Sequence, residues 1–337
     1  MLSRILVSAI NGGASDIHIR SEEIPMLRVN GTLLPISEFG IVNAKDAAKL
    51  VESMMHQEQI SFYRKNLEID FALEFEDARF RVNAFHSIKG AAASLRLVPK
   101  NIKSMSALHI PQSVRNLVNL KQGLVLFTGP TGSGKSTSLA SIIDEINSNQ
   151  YCNIITIEDP VEFIHKSKKS LVTQRQVGDS TLSFAAALRS ALREDPNVIL
   201  VGEMRDLETI QLALTAAETG HLVFGTLHTN SASQTIHRII DVFPNESKSA
   251  IRSMLASSLR AVVSQRLISS KGLRYAAFEV MLSNPSVQNL IREDHIPQIQ
   301  SIMELNKKRG MITLKESISR LVARGLVAPE DAAKALI

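Results

Sequence analysis

Nine consecutive residues, Gly129-Pro130-Thr131-Gly132-Ser133-Gly134-Lys135-Ser136-Thr137, carry the strongest chemical signal in the chain. Their G-x-x-x-x-G-K-S spacing is that of a phosphate-binding loop. Glycines there let backbone N–H groups turn inward around a polyphosphate, at a helix start that already favours anions. Lys135 then reaches the β- and γ-phosphates, and the Ser136 hydroxyl is placed to ligate Mg²⁺. A glycine-rich turn that binds nothing is the bland alternative. It sits poorly with the apolar run Leu124-Val-Leu-Phe127 on one side and the helical period of Leu139, Ile142, Ile143 and Ile146 on the other. The reading is a site for a nucleoside triphosphate.

Further groups fall where such a site needs them. Glu158-Asp159-Pro160-Val161-Glu162 follows Asn153-Ile-Ile-Thr-Ile157, a buried strand. In parallel α/β sheets ligands sit outside the carboxyl ends of the strands, so these acids, Glu158 and Glu162 among them, lie near the phosphates. A carboxylate there can orient or deprotonate the attacking water, whereas the competing reading is a solvated acidic turn. Asn197-Val-Ile-Leu-Val201 ends in Gly202-Glu203-Met204-Arg205-Asp206. An apolar strand followed by an acid is a Walker B pattern, with Glu203 acting on Mg²⁺ directly or through water, although Gly202 takes the place where Asp is usual. His228 ends another core strand, His221-Leu-Val-Phe-Gly-Thr-Leu-His228. It reads either as a structural histidine or as a sensor of the γ-phosphate. Arg189 and Arg193, four apart, share a helix face that is either wet surface or anion-facing. Arg81 and Arg96 lie on strands, where arginines usually point to solvent.

The elements that must hold these groups are legible in outline. Met1 to Ile10 reads as an opening helix rather than a signal peptide. Met26–Val29 and Thr32–Leu34 flank Asn30-Gly31, a hairpin signal. Ala44 to about Tyr63 carries Ala47, Ala48, Val51, Met54 and Met55 at helical spacing. Phe71–Phe75, Arg79–Phe85 and Ala92–Val98 are strands. Residues 1–100 then form a small α+β domain, 101–111 a linker, and 112–337 the nucleotide-binding α/β domain with C-terminal helices. Within the last, Thr181 or Ser183 caps a helix running to Glu194, and Leu207–Glu218 is a helix stopped by Gly220. Ile251 to Leu267 is read as one amphipathic helix from Ile251, Met254, Leu255, Leu259, Val262 and Val263. Ser286–Arg292 and Leu314–Ala323 are later helices.

Bulk properties narrow the class. A chain of 337 residues is long for one core. No apolar run approaches the ~18 residues of a membrane helix. The single cysteine, Cys152, excludes an internal disulfide and a tetracysteine zinc site, fits a reducing cytosol, and is read as core packing. A net charge of +5 permits an anionic partner, but nucleotide-binding arginines account for much of it.

Several segments together resemble the secretion and type IV pilus ATPases, and most of all their retraction motors. G-A-S-D-I-H-I-R (Gly13–Arg20) is similar to the family's opening, I-E-D-P-V-E-F to its Asp box, and L-R-S-A-L-R-E-D-P-N (Leu188–Asn197) to its arginine helix. V-G-E-M-R-D and T-A-A-E-T-G-H-L-V-F-G-T-L-H-T resemble its Walker B and His boxes. The resemblance implies a RecA-like P-loop ATPase domain preceded by a PAS-like α+β domain, ATP and Mg²⁺ as ligands, and a homohexameric ring holding nucleotide between the two domains. It implies Glu162 as the catalytic carboxylate, Glu203 as the Walker B acid, and His221 and His228 as His-box residues at the nucleotide. Arg81, Arg96, Arg189 and Arg193 match positions that present arginines to phosphates. Arginine fingers of this kind are worth ~10³–10⁵ in rate.

The implied partners are other copies of the chain, an inner-membrane pilus platform protein and, through it, pilins. The implied place is the cytoplasmic face of the inner membrane, reached only through partners. The assembly and type II secretion relatives usually carry an extra N-terminal domain and a tetracysteine metal site, which this sequence does not show. Against the retraction type, Gln288 in Ser286-Val-Gln-Asn-Leu-Ile-Arg-Glu293 replaces an arginine of the retraction motif A-I-R-N-L-I-R-E. Two other classes remain as rivals. A nucleic-acid translocase suits a basic pI near 9.3, but 4% aromatic residues and no Trp leave few stacking platforms. A non-hydrolysing regulator is disfavoured by a candidate at every catalytic position.

Overall fold

The computed structural model describes every residue except 30, 77, 99, 100, 336 and 337. Asn30, of the expected hairpin turn, and Asp77, between the expected strands Phe71–Phe75 and Arg79–Phe85, thus lie outside the described residues. The chain divides into two compact units, Met1–Asn101 and Ile102–Ile337.

The first unit comprises α1 (Leu2–Asn11), β1 (Asp16–Arg20), β2 (Met26–Val29), β3 (Thr32–Pro35), α2 (Ala44–Glu52), α3 (Gln57–Asn66), β4 (Glu68–Phe75), β5 (Ala78–Ser87) and β6 (Gly90–Val98). Its antiparallel sheet has the order β3-β2-β1-β6-β5-β4. Period-two alternation sends Ile17, Ile19, Phe80, Val82 and Leu95 into a core shared with Ile5, Leu6, Ala47 and Val51. The opposite face carries charge. Asp16 pairs in register with Arg28 on one side and Arg96 on the other, and Arg96 pairs with Arg81. The single helix expected over 44–63 is two. His56 accepts from the Gln59 N–H while the Gln59 side chain accepts from the His56 N–H, so a capping box restarts the helix. Met54 is buried at the junction, which is why the apolar period runs through it unbroken.

The second unit begins with a stretch without helix or strand that nonetheless sends Met105 and Ile110 into the unit's core. Then come α4 (Gln112–Arg115), β7 (Gly123–Thr128), α5 (Lys135–Asn149), β8 (Asn153–Glu158), β9 (Leu171–Gln176), α6 (Phe184–Ala191), β10 (Val198–Val201), α7 (Leu207–Glu218) and β11 (Leu222–Leu227). They are followed by α8 (Ala232–Asp241), α9 (Lys248–Ser258), β12 (Leu259–Ser270), β13 (Leu273–Leu282), α10 (Pro285–Arg292), α11 (Ile299–Leu305), α12 (Leu314–Ala323) and α13 (Pro329–Ala335). The sheet order is β13-β12-β7-β11-β10-β8-β9, parallel except for the β12–β13 pair. Leu124 and Leu126 point into the core on one face, Val125 and Phe127 into the core on the other, so β7 is buried on both sides.

The expected helix over 251–267 is a correction. It stops at Ser258, and Leu259–Ser270 is strand β12, paired in parallel with β7. The β-branched Val262 and Val263 fit a pleated, doubly buried site better than a helix, and the β7 edge needs a hydrogen-bonding partner. Among the described residues no helix is long and apolar enough to cross a membrane.

Candidate active site

Because β7, β8, β10 and β11 run parallel in close register, their carboxyl ends Thr128, Glu158, Val201 and Leu227 form one edge. The loop Gly129–Gly134, the acidic turn after Glu158, Gly202-Glu203 and His228 all leave from that edge. Lys135 opens α5 and is 9% exposed, and its Nζ donates to the carbonyls of Gly129 (2.7 Å) and Pro130 (3.1 Å). Burial lowers the Lys135 pKa, while the carboxylates of Glu203 and Glu162 pull it back up. Loop lysine and both acids therefore act on one another electrostatically.

Glu203 is the hub. Arg205 Nη2 donates to it at 2.6 Å, and His228 Nε2 stands 3.0 Å from its Oε1. Burial works to raise the Glu203 pKa, but the Arg205 hydrogen bond and the Arg205 and His228 charges outweigh it and hold the carboxyl below its ordinary value. It is an ionised acceptor. Its place one residue late has a steric cause. A Cβ on Gly202 would lie 3.0 Å from the Ile157 carbonyl and 3.1 Å from Glu158 Cα, so a side chain there would crowd the β8 backbone, and the acid stands at the next position. Thr226 Oγ1 also donates to the Gly202 carbonyl, fixing the turn.

Glu158 departs from the catalytic expectation. Its carboxylate accepts from Thr156 Oγ1 (2.7 Å), from Gln174 Nε2 (3.2 Å) and from the Glu162 backbone, and burial pushes its pKa up. It is turned into the protein as a support. Gln174 also donates to the Phe163 carbonyl and accepts from the His165 N–H, and Gln176 accepts from the Val161 N–H. This scaffold holds the turn, leaving Glu162 exposed as the acid that can meet water.

Other expected site residues are placed elsewhere. His221 precedes β11 at the amino edge of the sheet, where its carbonyl accepts from the Gly123 N–H. A six-residue strand separates it from the loop edge, so it does not join the phosphate loop of its own chain. Arg189 pairs with Glu208 in the first turn of α7. Arg193 does not share its helix face, because α6 ends at Ala191 and Arg193 falls in the following turn. Arg81 is exposed and has no hydrogen-bond or ion-pair partner among the described residues; Arg96 donates from Nε to Asp16 at 2.9 Å. Cys152 packs beside the β7 core with its Sγ 3.1 Å from Ser170 Oγ. Arg205, Gln174 and Gln265 were not singled out from sequence. Arg205 had the acidic motif around it as a signal, whereas Gln265 lay hidden in the stretch read as helix.

The donors present suit Mg²⁺. Among the described residues no three His, Cys, Asp or Glu gather into a protein-made metal cage. A hydroxyl (Ser136) and one ionised carboxylate (Glu203) are what a cation needs when phosphates and waters supply its remaining ligands.

The sequence profile of the family described as "Type II/IV secretion system protein" matches residues 1–274. The "Type IV pilus retractation ATPase PilT" of Pseudomonas aeruginosa is 49% identical over 333 residues, covering 98% of this chain and 96% of that protein. The "Twitching motility protein" of Neisseria gonorrhoeae is 51% identical over 311 residues, covering 91% of this chain and 83% of that protein. Among solved structures, the pilus retraction motor PilT with bound ADP superposes with a TM-score of 0.92 at 45% identity, covering 99% of this chain and 96% of that one. With phosphate loop, ionised acid and histidine gathered on one sheet edge, and with these matches along nearly its whole length, the chain belongs to the type II/IV secretion system protein family.

Proposed function

We propose that this chain is an ATP-hydrolysing motor subunit that powers retraction of type IV pili. The observation that carries the reading is the Lys135–Glu203–His228 grouping beside the phosphate loop, in a chain 49% identical to a pilus retraction ATPase. Lys135, freed from its loop carbonyls, binds the β- and γ-phosphates. Ser136 and Glu203 would hold Mg²⁺, which supplies positive charge against the phosphates. Glu162 orients the attacking water and accepts its proton. His228, tied to Glu203, registers loss of the γ-phosphate and passes that change to the turn that begins α8.

The working assembly in this reading is a ring of six copies. Arg81, Arg96, Arg189 and Arg193 serve at nucleotide sites only once it has formed. The ring acts from the cytoplasmic face on an inner-membrane platform protein, and on pilins through it. Cycles of hydrolysis shift the ring between conformations, and differential phosphate contacts supply the energy difference.

The test is a deletion strain complemented with wild type or Lys135→Ala. Excess, immobile pili rescued only by wild type support the proposal. Loss of pili moves the same active site to assembly, and ATPase activity retained in purified Lys135→Ala overturns it.

A further inference from the structure

The side chain of Gln265, 4% exposed on β12, is used at both ends. Its Nε2 donates to the carbonyl of Ser133 inside the phosphate loop at 2.8 Å, and its Oε1 accepts from Ser138 Oγ on α5 at 2.8 Å. Both bonds are buried. One amide thus joins the loop and the helix behind it to a neighbouring strand far along the chain.

From this we infer that Gln265 is a positioning residue for nucleotide binding: it acts through the loop, setting the shape in which backbone N–H groups face a phosphate. An anion-binding loop directs N–H groups toward the ligand, and the Ser133 carbonyl turns the other way, into the protein. A buried carbonyl needs a donor, and one left unpaired carries a large penalty. Gln265 supplies the donor for Ser133.

The loop glycines are explained by the same strand. A Cβ on Gly129 would lie 2.2 Å from the Gln265 carbonyl oxygen, and a Cβ on Gly134 2.8 Å from Gln265 Nε2. Both glycines also have positive φ, 137° and 89°. The loop is therefore pressed onto β12 at Gln265, and its curvature is set by that template as well as by its own sequence. The hydroxyls of Thr128 and Ser264, 2.7 Å apart, continue the contact one residue upstream on both strands. The inference rests on the nucleotide role proposed above, and the experiment separates the two.

The full-length protein is compared as wild type, Gln265→Leu, Gln265→Glu, Ser138→Ala and Lys135→Ala. Affinity is read with a fluorescent ATP analogue and with ADP, alongside steady-state KM and kcat and a nucleotide-free thermal melt. Gln265→Leu should weaken binding about tenfold, the scale of one unpaired buried carbonyl, with KM raised and kcat at saturation largely kept. Gln265→Glu should be weaker still, because a carboxylate cannot donate to Ser133 and adds negative charge under an anion site. Ser138→Ala keeps the carbonyl bond and should cost about threefold. Wild-type affinity in both Gln265 variants overturns the inference. If neither variant folds, Ser138→Ala decides, and wild-type affinity there overturns it. Wild-type affinity in Lys135→Ala would instead overturn the nucleotide reading itself.

Discussion

His228 Nε2 lies 3.0 Å from Glu203 Oε1, joining the ends of two adjacent parallel strands, β11 and β10. Arg205 grips both oxygens of the same carboxylate, with Nε on Oε1 (2.5 Å) and Nη2 on Oε2 (2.6 Å). The acid expected to work at the phosphates is thus oriented by its own neighbours, and the histidine is fixed by that acid.

Glu203→Gln should keep ATP bound and lower hydrolysis by on the order of 10²-fold or more. His228→Ala should lower hydrolysis with affinity changed less than about threefold. If the pair works as a unit, the double variant is no slower than Glu203→Gln alone. Single-turnover hydrolysis and equilibrium binding measure both quantities, and fully additive losses would show that the two act separately.

Glu158, which ends β8, and Glu162, four residues on in the following turn, should behave oppositely. Glu162→Gln removes an exposed acid, so the melting temperature holds while hydrolysis falls about 10²–10⁴-fold. Glu158→Ala takes the shared acceptor from the buried Thr156 hydroxyl and the half-buried Gln174 amide and should cost about 1–3 kcal/mol of stability. Glu158→Gln should recover much of that loss, since burial already favours the protonated acid. Thermal melts beside ATPase assays separate the two positions.

His165 is buried with no hydrogen-bond partner for Nδ1 among the described residues, and burial pushes its pKa down from 6.5 to about 4. The unfolded chain binds this proton first, so stability rises with pH between about 4 and 6.5 and is lost as pH falls through that window. The full effect is about 3 kcal/mol. The buried carboxyls Glu158 and Glu279, whose pKa values are raised by burial, act with the opposite sign above 4.5, so the difference between wild type and His165→Leu isolates the histidine. Denaturant midpoints at several pH values should show a shallower acid loss in the variant. Identical slopes would contradict the assignment.

Asp16 stands in register between Arg28 and Arg96, with Arg81 next in the row. Asp16→Ala leaves Arg28, Arg96 and Arg81 in one cross-strand row with no acid among them, the last two directly opposite each other, and should cost about 1 kcal/mol at low salt. The loss should shrink markedly at ~1 M ionic strength, where the Debye length is about 3 Å. Melting curves at the two salt levels decide it, and equal losses would point to packing instead of charge.

Local spacing sufficed for the phosphate loop, because G-x-x-x-x-G-K-S between an apolar run and a helical period is itself the chemistry of the site. Strand-end acids and His228 were legible for a related reason. In a parallel sheet, the residue after each apolar run must leave at the same edge. What only the tertiary structure decided is which group is used up by a neighbour. Glu158 and Glu162 look alike as letters, and burial against Thr156 and Gln174 divides their roles. His221 and His228 sit in one motif but at opposite ends of β11. The stretch from Leu259 carries a helical apolar period, yet the open edge of β7 draws it into a strand and so brings Gln265 beneath the loop. Periodicity records which residues are buried; which partner buries them is set by long-range pairing, and that lies beyond any local window.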